Sequence, residues 1–128
     1  MTIKRRSPYQ VLVRPSATVG LGRGDAASLS VVWMPGKSRQ KAPPLRVRLV
    51  LYDLSGKQVA EKDAAVAPFS GASVDYKQPS GQKRQQVFGY VFIDGLTAKL
   101  AEELFGGIEV YDLTSGRMSI AGVVPGLG

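Results

Sequence analysis

Residues 45–59 constrain this chain more than any other stretch, because strict alternation, a turn signal and a return run follow one another there without a break. Leu45, Val47, Leu49 and Leu51 occupy one side of a period-2 pattern, and Arg46, Arg48, Val50 and Tyr52 the other, as in a half-buried strand. Asp53, Ser55 and Gly56 then supply turn chemistry, with Gly56 free to take positive φ. A weaker copy recurs late in the chain, where residues 108–112 lead through 113–117 into 118–121. Two hairpins of one kind predict an antiparallel β fold.

The sequence has 128 residues, 44% hydrophobic and 21% charged, so it can bury a core without staples and is expected to fold as one unit. It contains no cysteine, which excludes disulfides and thiolate metal sites, and no histidine, which removes the commonest general base and metal ligand together. Seventeen Lys and Arg against ten Asp and Glu leave a net +7. Such a balance favours an anionic partner: nucleic acid, an acidic protein face or a lipid headgroup surface. No apolar run reaches the roughly 18 residues of a membrane-spanning helix. Lys4, Arg5 and Arg6 are not followed by the apolar core of a signal peptide, so the expected location is cytoplasmic, free or peripheral to a membrane complex.

Taken in order, residues 1–8 read as a basic flexible arm, 9–121 as a single β-sandwich domain and 122–128 as a Gly/Pro tail. A short strand is expected over 9–14 and a glycine-rich loop over 20–25, whose spacing lacks both the Gly-Lys-Ser/Thr ending of a P-loop and the dinucleotide fingerprint. The next strand covers 28–33, with Leu29, Val31 and Trp33 turned inward. A proline-fenced loop bearing Lys37, Arg39 and Lys41 precedes the central hairpin, and together with Arg46 and Arg48 forms the densest positive cluster. Residues 59–66 are alanine-rich and fit strand or helix, while 73–77 alternate as a short strand. Residues 85–93 are apolar on both sides and belong mid-fold, Phe88, Tyr90 and Phe92 sharing one face and Val87, Val91 and Ile93 the other. One helix is expected at about 97–105, capped by Thr97, striped by Leu100, Ala101, Leu104 and Phe105, and stopped by Gly106 and Gly107.

This series of strands, with Asp53-Leu54-Ser55-Gly56-Lys57 closing the extended strand and residues 112–117 turning the last hairpin, resembles a bacterial immunoglobulin-like β-sandwich domain of uncharacterised function. The resemblance implies a mainly β, antiparallel sandwich with one short helix, and binding or scaffolding work; it carries no functional residues over. A second resemblance competes. Phe88-Gly89-Tyr90-Val91 is similar to the heart of the first ribonucleoprotein motif of RNA-recognition domains, and residues 49–54 are similar to the second. The chain departs from that pattern at Gln86, Val87 and Ile93 in the first motif and at Val50 in the second, and no apolar stripe supports a first helix after Ser55.

No set of side chains meets the requirements for nucleophile, base and orienter: Ser55 with Lys57 and Ser80 with Lys83 lie in turns, and Glu102 and Glu103 diverge on a helix. The expectation is therefore no enzyme activity, no cofactor, no metal and no small-molecule substrate. The protein is expected to be a non-catalytic accessory subunit docking on a larger acidic assembly, steered by Arg5, Arg6, Lys37, Arg39, Lys41, Arg46 and Arg48, with apolar contact from Leu100, Leu104 and Phe105. The alternative is RNA binding by Tyr52, Phe88, Tyr90 and Phe92 on an open sheet face. Exposure separates the two, since stacking aromatics must face solvent and core aromatics must be dry.

Overall fold

The computed structural model describes residues 14–16, 18–36, 41–79, 84–95 and 97–123. Two antiparallel sheets contain most of them. In sheet A, β4 (Leu45–Asp53) lies between β5 (Gln58–Val66) and β7 (Gln85–Ile93), while β1 (Arg14–Pro15) and β2 (Val19–Leu21) follow each other along the far side of β7. Sheet B has the order β6 (Ser70–Lys77), β3 (Asp25–Trp33), β8 (Leu104–Asp112) and β9 (Met118–Val123). One short helix, α1 (Ala98–Glu103), precedes β8. The expected arm, the strand over 9–14 apart from Arg14, and most of the tail lie outside the described residues; Arg14 falls in β1, and β9 runs on to Val123.

The inner faces follow the alternation. Val47, Leu49 and Leu51 of β4 and Val87, Val91 and Ile93 of β7 are fully buried, and they meet Leu29, Val31 and Trp33 of β3 and Leu104, Ile108 and Val110 of β8 in one core. The alanine-rich segment resolves as strand β5. Once the turn returns the chain alongside β4, Leu45 pairs with Val66 and Val50 with Glu61, and this pairing overrides the helix preference of Ala64 and Ala65.

Several boundaries differ from expectation: β3 begins at Asp25 rather than at 28 and β6 at Ser70 rather than at 73. The glycine-rich segment is not an open loop: Val19–Leu21 forms β2, and a tight turn follows in which the Gly22 N–H donates to Asp25 Oδ2 at 2.8 Å and the Asp25 N–H to the Gly22 carbonyl at 3.1 Å. The helix is also shorter than 97–105. Thr97 caps it, its hydroxyl accepting from the Leu100 N–H at 3.1 Å, but Leu104 and Phe105 belong to β8 and Gly106 and Gly107 lie inside that strand. The reason is an anchor at Glu103, whose carboxylate accepts from the buried Trp33 indole N–H at 3.1 Å and whose carbonyl accepts from the Met34 N–H at 2.9 Å. Leu104 closes the helix by donating its N–H to the Ala101 carbonyl and stands opposite Trp33, and beyond it pairing with β3 takes over.

The hairpin turns are built by aspartates. Asp53 Oδ1 accepts from the Ser55 N–H at 2.9 Å, the Ser55 hydroxyl at 2.6 Å and the Lys57 N–H at 3.0 Å, and Gly56 takes φ +87°. Asp112 repeats the device with the Thr114 N–H at 2.7 Å. At Asp53 these donors, the Ser55 hydroxyl foremost, hold the carboxyl below its ordinary pKa. A depressed folded-state pKa stabilises the fold above the unfolded value of about 3.9 and loses that contribution as pH falls through the lower folded value. Asp53→Ala is therefore expected to be less stable than the parent at neutral pH. In urea melts across a pH series the gap should close below that window.

Gly89 sits on the inner face of β7, where an added Cβ would lie 2.6 Å from one Leu29 methyl and 2.8 Å from the other. Leu29 is fully buried and cannot swing clear. Gly89→Ala is expected to cost ~1–3 kcal/mol in equilibrium denaturation through overpacking. Combining it with Leu29→Ala, which alone opens a cavity, should cost less than the sum of the two by at least ~0.5 kcal/mol.

Candidate interaction faces

Strand parity that buries Leu49 and Val91 turns their neighbours outward. The register sets Tyr52 opposite Phe88, Val50 opposite Tyr90 and Arg48 opposite Phe92, all on the outer face of sheet A. The rings form one connected strip. Tyr52 stacks on Phe88 with centroids 5.8 Å apart and 24° between planes, whereas Tyr90 meets Tyr52, Phe88 and Phe92 edge to face at 5.5, 5.6 and 6.3 Å. All four side chains are half-buried, neither dry nor free, and Val50 among them is 1% exposed.

Arginines border the strip. Arg46 is exposed on β4, and Arg48 forms an ion pair with Glu61 across to β5. At the other end Arg84 lies across Gly20, where an added Cβ would come within 2.5–3.0 Å of its guanidinium. Arg84 also lines an open depression of about 450 Å³ with Asp53, Ser55 and Gln86. Residues assigned on sequence to rival functions, Arg46 and Arg48 on one side and Tyr52, Phe88, Tyr90 and Phe92 on the other, thus share one surface.

The remaining candidates are dispersed. Arg5, Arg6, Lys37 and Arg39 lie outside the described residues, and Lys41 is exposed at a turn. Leu100 at 3% exposure and Leu104 at 0% are part of the core rather than a surface stripe, and of the apolar trio only Phe105 faces solvent, from β8.

The sequence reading missed a second group, on the outer face of sheet B. Val32 is opposite Phe105 on β8 and Gly71 on β6; one step along, the Met34 N–H bonds to Glu103 and the Phe69 N–H to the Trp33 carbonyl. Val32, Met34, Phe69 and Phe105 therefore cluster at one end of the sheet, each 38–51% exposed. Phe69 is held there at φ +63°, a left-handed conformation costly for a residue with a Cβ. The inward placement of Val31 and Trp33 implied an outward Val32, but nothing in the sequence marked Phe69. The rest of this face is mixed: Ser30 lies between Ser73 and Gly107, Ser28 between Asp75 and Glu109, and Ala26 between Lys77 and Tyr111. Burial, aided by the charges of Asp75 and Glu109, raises the pKa of the neighbouring Tyr111 phenol.

Compared with known proteins, the sequence matches no family model and no curated protein. Among solved structures the chain is similar to Thermotoga maritima 1070, with 9% identity and a TM-score of 0.47 over 87% of this chain and 88% of that one. Among the described residues, no group of three or more acidic side chains is placed to hold a metal ion and no helix is long and apolar enough to cross a membrane.

The two sides of sheet A should respond differently to truncation. Leu49→Ala, on the inner face, is expected to cost ~2–5 kcal/mol, against ~0.2–1 kcal/mol for Phe92→Ala, on the outer face, which loses cross-strand contacts but opens no cavity. Equal losses in parallel denaturation curves would contradict the outward assignment of the strip.

Proposed function

We propose that the protein is a non-catalytic interaction module, an immunoglobulin-like domain that docks as a basic accessory subunit on a larger protein assembly with an acidic face, including one at a membrane surface. The observation that carries this reading is the exposed group Val32, Met34, Phe69 and Phe105, one member of which is displayed at a backbone cost. Clustered apolar side chains suit a desolvated protein contact. The net +7 supplies steering toward an acidic partner and makes the association weaken with salt. The strand order supports the fold part of the reading: pairing of β3 with β6 and of β4 with β7 corresponds to the B–E and C–F pairs of an immunoglobulin sandwich. The ends are exchanged relative to that plan, because β8 takes the place beside β3 that a first strand would fill, while β1 and β2 take the place beside β7 that a last strand would fill.

A second reading, binding of single-stranded nucleic acid, is favoured by one observation: the strip of Tyr52, Phe88, Tyr90 and Phe92 is on an outer face bordered by arginines. It does not bring the RNA-recognition architecture with it, since residues 58–66 are a strand where that fold needs its first helix.

Affinity purification of the whole protein from its native cell, with and without nuclease and at two salt concentrations, separates the readings. The expected result is a defined set of proteins that survives nuclease, is depleted by salt, and is lost from the Phe105→Ser variant while the Phe88→Ser/Phe92→Ser variant retains it. Loss of all partners on nuclease treatment and in the Phe88→Ser/Phe92→Ser variant would replace the first reading with the second.

A further inference from the structure

Sheets end in edge strands whose outward N–H and C=O groups invite another strand, and stable monomers blunt those edges with charge, proline, interruption or brevity. Three of the edges here are blunted. Strand β5 carries the consecutive exposed charges Glu61, Lys62 and Asp63, and Lys62 stands opposite Leu49 on the core-facing side, an inward charge that obstructs any strand laid alongside. Strand β6 carries exposed Asp75 and Lys77. The β1–β2 edge carries Pro15 and is broken between Pro15 and Val19, where four residue steps pass three on β7 and the Ser16 hydroxyl accepts the Gly89 N–H at 2.7 Å.

The fourth edge differs. Among the described residues, strand β9, Met118-Ser119-Ile120-Ala121-Gly122-Val123, ends sheet B with no charged residue and no proline among six positions; its one irregularity is a bulge at Ser119, and the pairing with β8 is regular from Ile120 to Val123. We propose that β9 pairs antiparallel with β9 of a second copy about a twofold axis, joining the two sheets B into one continuous sheet. Water satisfies such a row of alternating donors and acceptors in the free chain, and an extended backbone matches it in register. Self-pairing fits better than capture of a charged peptide, because β9 offers no side-chain charge to select one, and an antiparallel pair of β9 strands sets no like charges opposite each other. The contact is isologous, so it uses both copies of this edge at once and closes at a dimer while the blunted edges stop further growth.

Self-association of a +7 chain works against charge repulsion, which fixes a signature. Added salt strengthens the dimer, the reverse of its effect on docking to an acidic partner. The test is sedimentation velocity of the whole protein across a micromolar to submillimolar range at low and high salt, with amide hydrogen exchange at both ends of the range. A dimer is expected, favoured by salt, with added protection at high concentration confined to the amides of β9. Ala121→Lys, in register with Glu109 of its own sheet, should retain the fold by circular dichroism and weaken the dimer at least tenfold, whereas Ala121→Ser should not. A monomer at every concentration, open-ended polymers, or a dimer whose exchange protection maps elsewhere would each overturn the proposal. Hydrogen exchange on the unsubstituted protein decides the matter even if the lysine variant fails to fold.

Discussion

The close approach of Leu29 to the bare backbone of Gly89 sets the spacing on which the rest of this structure depends. Packed sheets stand roughly 10 Å apart, and the interval is filled by side chains from both inner faces. Here the filling is almost entirely branched aliphatic, with Val47, Leu49, Leu51, Val87, Val91 and Ile93 from sheet A against Leu29, Val31, Leu104, Ile108 and Val110 from sheet B. Trp33 is the exception, and it sits where Glu103 can take its indole N–H. An aromatic residue at position 89 would force the sheets apart at mid-strand. With glycine there, parity leaves Phe88, Tyr90 and Phe92 no place but the outside. The aromatic strip is thus a consequence of how the core is packed as well as a surface feature.

That dependence explains what the sequence revealed and what it withheld. The inward sets on β3, β4 and β7 were legible, because alternation of Leu and Val against Arg, Ser or aromatic residues has a period of two and needs no tertiary information. The turns at Asp53 and Asp112 were legible for the same local reason, since an aspartate two residues ahead of the amide it accepts from builds its own loop. The nature of residues 58–66 was not, because their alanines suit either structure and only the ladder with β4 decides. Nor was the early end of α1, which depends on a contact between Trp33 and Glu103, seventy positions apart. A candidate stripe of Leu100, Leu104 and Phe105 failed at this point. Leu100 is buried from α1 itself, Leu104 entered the core where the helix gave way to β8, and Phe105 was left in solvent.

The outer faces inherit opposite characters from this arrangement. On sheet A the strip is closed in on itself by edge-to-face contacts, and at least one bordering arginine is engaged by Glu61, so much of that face is already satisfied within the chain. An exposed ion pair of this sort is worth little to stability, ~0–1 kcal/mol, but it fixes where the guanidinium stands. On sheet B the small residues Ser28, Ser30, Ser73 and Gly107 leave the backbone shallowly covered at mid-strand, and the large apolar side chains stand at the ends, Val32, Met34, Phe69 and Phe105 at one and Met118, opposite Tyr111, at the other. A face that satisfies itself makes a weaker case for a partner than one that leaves Phe69 and Phe105 about half exposed.

The edges complete the same logic. The two sheets have four of them among the described residues, and charge or interruption at three costs packing or pairing energy that a single buried strand would not give up. Lys62 makes this concrete: it occupies a core-facing register position opposite a fully buried leucine, yet it remains exposed at the rim, where an aliphatic residue would have added to the core. That sacrifice makes sense only if pairing along β5 is harmful, and it gives the uncharged sequence of β9 its meaning. A chain that spends stability to close three edges with charge or interruption and leaves the fourth without a charge is one we expect to have that edge in use.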